Sequence, residues 1–84
     1  MGGKLDKAKA RLKAEPCDYT YTEAKSLLIS IGYVEHNKGK SSGSRVMFVK
    51  NGAKILLHKP HPGNEMKWYA VHQLKEQLES LGEL

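Results

Sequence analysis

The chain has 84 residues, 39% of them apolar and 27% charged, a formal net charge of +5 and one cysteine. That length supports one small domain whose folding buries roughly 60–65% of the unfolded surface, and therefore a modest core. It excludes an internal disulfide, and no apolar run approaches the roughly 20 residues of a membrane-spanning helix. The opening Met-Gly-Gly-Lys-Leu-Asp lacks the apolar segment of a secretion signal, so a cytoplasmic protein is expected.

The charge is unevenly placed. Between His36 and Lys67 stand seven basic residues (Lys38, Lys40, Arg45, Lys50, Lys54, Lys59 and Lys67) against Glu65 alone, a local charge of +6. The remainder nets −1. A localised basic field attracts phosphate polymers and releases their counterions on binding, although a charge of this size also serves solubility.

In chain order, Lys4 to Glu15 is rich in helix formers, with Leu5, Ala8 and Leu12 on one narrow apolar side, and Pro16 ends it. Cys17, just beyond, reads as a small, partly buried residue. Thr20 and Glu23 have capping-box spacing ahead of Ala24, Leu27, Leu28 and Ile31, which share a helical face. Gly32 suits the left-handed cap that closes such a helix. Tyr33 to Glu35 reads as a short strand, with His36 at its end.

Ser44 to Lys50 and Ala53 to His58 are stronger strands, separated by Asn51-Gly52, the pair that a type I′ hairpin turn selects because both central residues need positive φ. That turn predicts the register. Lys50 faces Ala53, Phe48 faces Ile55, Val46 faces Leu57, and Arg45 faces His58. Val46, Phe48, Ile55 and Leu57 then share the core face, leaving Arg45, Met47, Val49, Lys54, Leu56 and His58 on the other. The apolar members Met47, Val49 and Leu56 call for a cover: the N-terminal helix, a second copy of the chain, or a partner protein.

After a loop governed by Pro60 and Pro62, a helix begins near Tyr69 with Val71, Leu74, Leu78 and Leu81 as its stripe. Trp68 and Tyr69 at its start read either as lids on the core, the favoured assignment, or as stacking surfaces for bases. The expected fold class is α+β: residues 17–84 form an α-β-β-β-α domain, a three-stranded antiparallel sheet with two helices on one face, and residues 1–16 add an N-terminal helix.

Three stretches carry candidate chemistry. KGKSSGSR, Lys38 to Arg45, has the composition of a phosphate cradle but not the spacing of a P-loop. HKPHPG, His58 to Gly63, holds two histidines on a proline-stiffened support, suited to proton transfer near neutral pH. The four histidines, with one cysteine, fit no zinc spacing, so no metal and no cofactor is expected. His72 reads as a helix-surface residue.

Leu27-Leu28 to Gly32, the basic loop ending in Gly43-Ser44, the apolar hairpin, the segment His61-Pro62-Gly63-Asn64-Glu65-Met66-Lys67 and the leucine-rich closing helix together resemble the HicA family, toxins of bacterial toxin–antitoxin pairs. The resemblance spans nearly all of Cys17 to Leu84. The leading helix is similar to that of a longer subgroup. It implies a double-stranded-RNA-binding-domain-like fold, metal-independent cleavage of mRNA, and inhibition by a HicB-like antitoxin. In the toxic members a histidine follows the Gly-Ser step; here that residue is Arg45. Arginine stays protonated and cannot exchange protons as histidine does, but it binds phosphate.

Two readings follow. In one, Lys38, Lys40, Ser44, Arg45, Lys59 and Lys67 hold RNA while His58 or His61 assists cleavage beside Arg45. In the other, the chain is a non-catalytic RNA- or antitoxin-binding module. In both, Met47, Val49 and Leu56 form the partner-facing patch, with a homo-oligomer as a further arrangement.

Overall fold

A computed structural model describes residues 3–36, 45–60 and 63–84. Lys38, Lys40, Ser44 and His61 lie outside these residues. The elements run α1 (Lys4–Lys13), α2 (Tyr21–Ser30), β1 (Val34–His36), β2 (Arg45–Lys50), β3 (Ala53–His58) and α3 (Trp68–Ser80). The fold is α+β, with one three-stranded antiparallel sheet ordered β1-β2-β3.

The hairpin follows its turn. Asn51 and Gly52 take φ of 47° and 86°, both in the left-handed region that type I′ requires. The β2–β3 register is the predicted one, from Lys50 opposite Ala53 to Arg45 opposite His58. Val46, Phe48, Ile55 and Leu57 are accordingly buried and their neighbours along each strand are not.

Both α2 and α3 close in the same way. Gly32 and Gly82 have φ of 106° and 78°. The amides of Tyr33 and Glu83 return to the carbonyls of Leu28 and Leu78 at 2.9 and 2.8 Å, which satisfies carbonyls the helix leaves unpaired. Lys50 then ties the two ends together: its Nζ lies 2.7 Å from Glu83 and 5.8 Å from the Tyr33 ring centroid. Burial pushes the Tyr33 hydroxyl pKa upward.

Ala24, Leu27 and Leu28 of α2 and Val71, Leu74 and Leu78 of α3 pack on the sheet, and Leu12 of α1, fully buried, joins the same core. Each of these leucine and valine side chains contributes about 1.5–3 kcal/mol by leaving water. Tyr19, Tyr21, Tyr33 and Met66 complete the core, although no periodic pattern marks them. Among the described residues no helix is long and apolar enough to cross a membrane.

The details differ from expectation at five places, the first being β1, which runs Val34–His36 and not Tyr33 to Glu35. Helix α1 stops at Lys13, because Glu15, held before Pro16, takes a left-handed φ of 49°. Leu81 falls past the end of α3 and is exposed. Cys17 is exposed, lying on the turn between α1 and α2. Trp68 and Tyr69 do not lid the core: they are 72% and 54% exposed.

Candidate nucleic-acid and partner interface

The outward sheet face is a grid set by strand register. One rung holds Arg45 and His58, the next His36, Met47 and Leu56, and the third Val34, Val49 and Lys54. Directly opposed residues of an antiparallel pair have Cβ atoms about 4.5–5.5 Å apart, and diagonal neighbours lie about 7–8 Å apart. Arg45 thus has His58 directly across one ladder and His36 on the diagonal of the other. All three are exposed. Reading His36 as a mere strand end missed this, because its placement depends on the β1–β2 register, which no turn signal announces.

Behind this basic end the grid is apolar. Leu56 and Val34 are 53% and 60% exposed, with Met47 and Val49 half-buried between them. Helix α1 packs on α2 and α3 instead, so it is not the cover that this face calls for. None of the described carboxylates pairs with Arg45, Lys54, His36 or His58.

The loop after β3 is anchored at its far end. The Tyr21 amide donates to the Asn64 carbonyl at 2.8 Å, the Met66 amide donates to the Tyr19 carbonyl at 2.8 Å, and Asn64 Nδ2 donates to Thr22 at 3.1 Å. Met66 is buried, which fixes where Lys67 and α3 begin. Lys59 Nζ stands 6.0 Å from the Tyr21 ring centroid. A groove of about 650 Å³ opens here between β3 and α3, with His58, Lys59, Lys67 and Tyr69 among its lining. His58, Arg45, Lys59 and Lys67 are therefore brought to one end of the domain, and Met47, Val49 and Leu56 to one patch.

Several charges elsewhere are engaged structurally. Glu23 accepts from the Thr20 amide at 3.0 Å while Thr20 Oγ1 accepts from the Glu23 amide at 3.2 Å, the expected capping box. The same carboxylate pairs with the Arg11 guanidinium, which also reaches Asp18 at 3.2 Å. The arginine holds the Glu23 pKa below the usual carboxylate range, and its own is raised in turn. Glu15 takes Lys75 at 2.8 Å and His72 at 3.0 Å; since a carboxylate only accepts, the His72 Nδ1 carries the proton. Those bonds, the one from Lys75 foremost, lower the Glu15 pKa. His72 is thus part of a tether, and the described residues hold no cluster of three metal-ligating side chains.

Fold and surface together define a small α+β domain with a basic, partly apolar sheet face left open. The HicA toxin family of bacterial toxin–antitoxin systems matches residues 21–80, and the chain belongs to that family. It is by that membership the toxin member of a toxin–antitoxin pair, with an antitoxin as its counterpart. No similar curated protein was found, and no similar solved structure.

Proposed function

We propose that this chain is a cytoplasmic RNA-cleaving bacterial toxin whose reactive end is the His36–Arg45–His58 constellation, and that a HicB-like antitoxin silences it by covering Met47, Val49 and Leu56. The observation that carries the reading is the register: it sets an arginine, without a carboxylate partner among the described residues, between two exposed histidines on one face. Arg45 binds the scissile phosphate and stabilises the charge that builds on it. His58 accepts the proton of the ribose 2′-hydroxyl as its oxygen bonds to phosphorus. The bond from phosphorus to the 5′-oxygen breaks, and protonated His36 supplies that leaving oxygen with its proton. The products are a 2′,3′-cyclic phosphate and a 5′-hydroxyl, and the steps need no metal ion.

Lys59 and Lys67 hold the flanking backbone. Lys38, Lys40, Ser44 and His61 are proposed for the same work from the sequence alone. Residues 1–16 are taken as an addition to a domain of residues 17–84, one that contributes Leu12 to the shared core. An antitoxin seated on Met47 necessarily lies beside Arg45, two residues along β2 on the same face, so covering the patch blocks the chemistry.

The test is RNA integrity with purified protein, followed by end-group analysis. Arg45→Ala, His58→Ala and His36→Ala are each expected to slow cleavage by roughly 10²–10⁴. A second reading rests on Arg45 itself, which stands where toxic members carry a histidine: the chain binds RNA or antitoxin without cutting. RNA left intact by the wild type, with binding retained, selects that reading.

A further inference from the structure

We propose that the groove between β3 and α3 is a binding channel for single-stranded nucleic acid, with Tyr69 as its base-stacking surface and Trp68 as the buttress behind it. The inference rests on the RNA reading above and adds to it the form of the substrate and a second contact region away from the Arg45 end.

Four observations converge. First, Trp68 and Tyr69 stand out from the protein although folding had a core available to bury them, and they pack edge to face with centroids 6.2 Å apart and planes at 80°. An edge-on partner restrains one ring and leaves its other face clear. Second, Tyr69 lines a groove of about 650 Å³ that also takes in His58, so the channel leads directly from the proposed reactive end. That volume accommodates a nucleobase with its sugar, being within the roughly 300–1,000 Å³ of small-molecule sites.

Third, the charge is complementary to phosphate: Lys59 and Lys67 lie along the groove with His58, opposed only by Glu65. Fourth, the α3 wall carries the amide side chains of Gln73 and Gln77, which donate and accept as base edges require, while β3 is an edge strand whose outward backbone groups have no strand partner among the described residues. A duplex hides its base faces and cannot use Tyr69. An extended protein segment could pair with the β3 edge, but it gains little from two lysines beside an exposed ring unless it is acidic. Stacking on aromatic faces along a basic groove is how single strands are held without strong sequence preference.

Trp68 is the only tryptophan in the chain, so its emission reports on this site alone. The experiment titrates the full chain with a 2′-O-methyl hexauridylate, which lacks the attacking hydroxyl and is not cleaved. Binding is followed by Trp68 fluorescence and, in parallel, by anisotropy of a labelled oligonucleotide. Saturable change in both signals is expected. Tyr69→Ala should weaken binding roughly tenfold, as the loss of one stacked base does, while Tyr69→Phe keeps it. Tyr69 is exposed, so neither variant disturbs the core. Arg45→Ala removes a phosphate contact and should weaken the overall affinity, while the Trp68 change at saturation stays that of wild type.

Oligonucleotide binding by anisotropy with no Trp68 response, and no effect of Tyr69→Ala, overturns the channel while leaving the RNA reading intact. Equal binding of a 12-base-pair duplex through Tyr69 overturns the single-strand assignment. An acidic extended peptide that shifts Trp68 emission where RNA does not makes the groove a protein-docking edge instead. Absence of any oligonucleotide binding overturns the RNA reading and the channel with it.

Discussion

The two charged regions of this small domain are built on opposite plans. Around α1 carboxylates and cations meet in pairs: Arg11 with Glu23 and Asp18, Lys75 and His72 with Glu15. On the open sheet face, Arg45, Lys54, His36 and His58 surround apolar side chains with no described carboxylate among them. The first region uses charge to position a helix over a core. The second leaves charge and apolar surface exposed together, at some expense in self-repulsion and hydration, which suits a surface whose complement lies on another molecule. A high positive charge alone would not separate the two; pairing does.

The comparison predicts opposite responses to substitution. The largest effect on folding belongs beneath the paired region. Leu12→Ala removes a fully buried side chain that ties α1 to the core and is expected to lower stability by about 2–5 kcal/mol in chemical denaturation, with Leu56→Ala within about 0.5 kcal/mol of wild type. Similar values for both would mean that α1 is not integrated and that the two regions do not differ in the way described.

Next in size is a partner effect. Met47→Asp places a carboxylate at the centre of the open face, where Met47 meets His36 on one side and Leu56 on the other. The antitoxin complex should weaken by about 2 kcal/mol or more, the scale of a central interface residue, as read by calorimetric titration. Glu76→Ala, on the exposed side of α3, is the control and should leave affinity unchanged. If both variants bind as wild type does, the antitoxin sits elsewhere.

Much of this was legible beforehand because it depended on local chemistry. Asn51-Gly52 determines a register, and register alone places Arg45 against His58. Thr20 and Glu23 mark a helix start, and Gly32 its end. What escaped is the placement of residues by distant contacts. Glu15 and His72 are 57 positions apart, and nothing near either announces the other. Glu23 reads as a cap, yet its pairing with Arg11 requires α1 to lie where it does. Tyr19 and Tyr33 belong to the core although they stand on connecting segments, outside any 3.6-residue period. Hydrophobicity assigns Trp68 and Tyr69 to the core, because it cannot distinguish a lid from a ring left out in water.

The paired region also carries a pH signature. Glu15 and Glu23 have pKa values held below the ordinary carboxylate range by Lys75 with His72 and by Arg11. A carboxylate whose folded pKa is depressed binds fewer protons folded than unfolded. Its stabilising contribution is present above the unfolded pKa and is lost as pH falls through the folded one. Thermal stability should therefore decline as pH falls through the carboxylate range and below. Glu15→Gln should flatten that decline and lower the midpoint at neutral pH by less than Leu12→Ala does, because the pairs are partly solvated and salt screens them. A midpoint in Glu15→Gln that falls with acid as steeply as wild type would assign the slope to other carboxylates.

The smallest expected effect lies between the regions, at the start of α2. Tyr21 is buried, its ring lies under Lys59, and its hydroxyl has no hydrogen-bond partner among the described residues. Burial, with Glu35 adding to it, pushes the hydroxyl pKa upward. A buried hydroxyl without a partner has lost its water and gained nothing, a penalty of about 1–3 kcal/mol, part of which the folded state recovers when the oxygen is deleted. Tyr21→Phe is therefore expected to leave stability unchanged or raise it by up to about 1 kcal/mol, while keeping the ring that supports Lys59. A loss of stability would mean that the hydroxyl is hydrogen-bonded in solution. If that loss came with weaker oligonucleotide binding, Tyr21 would join Lys59 on the open, ligand-facing side of the comparison rather than serving as a purely structural part of the core.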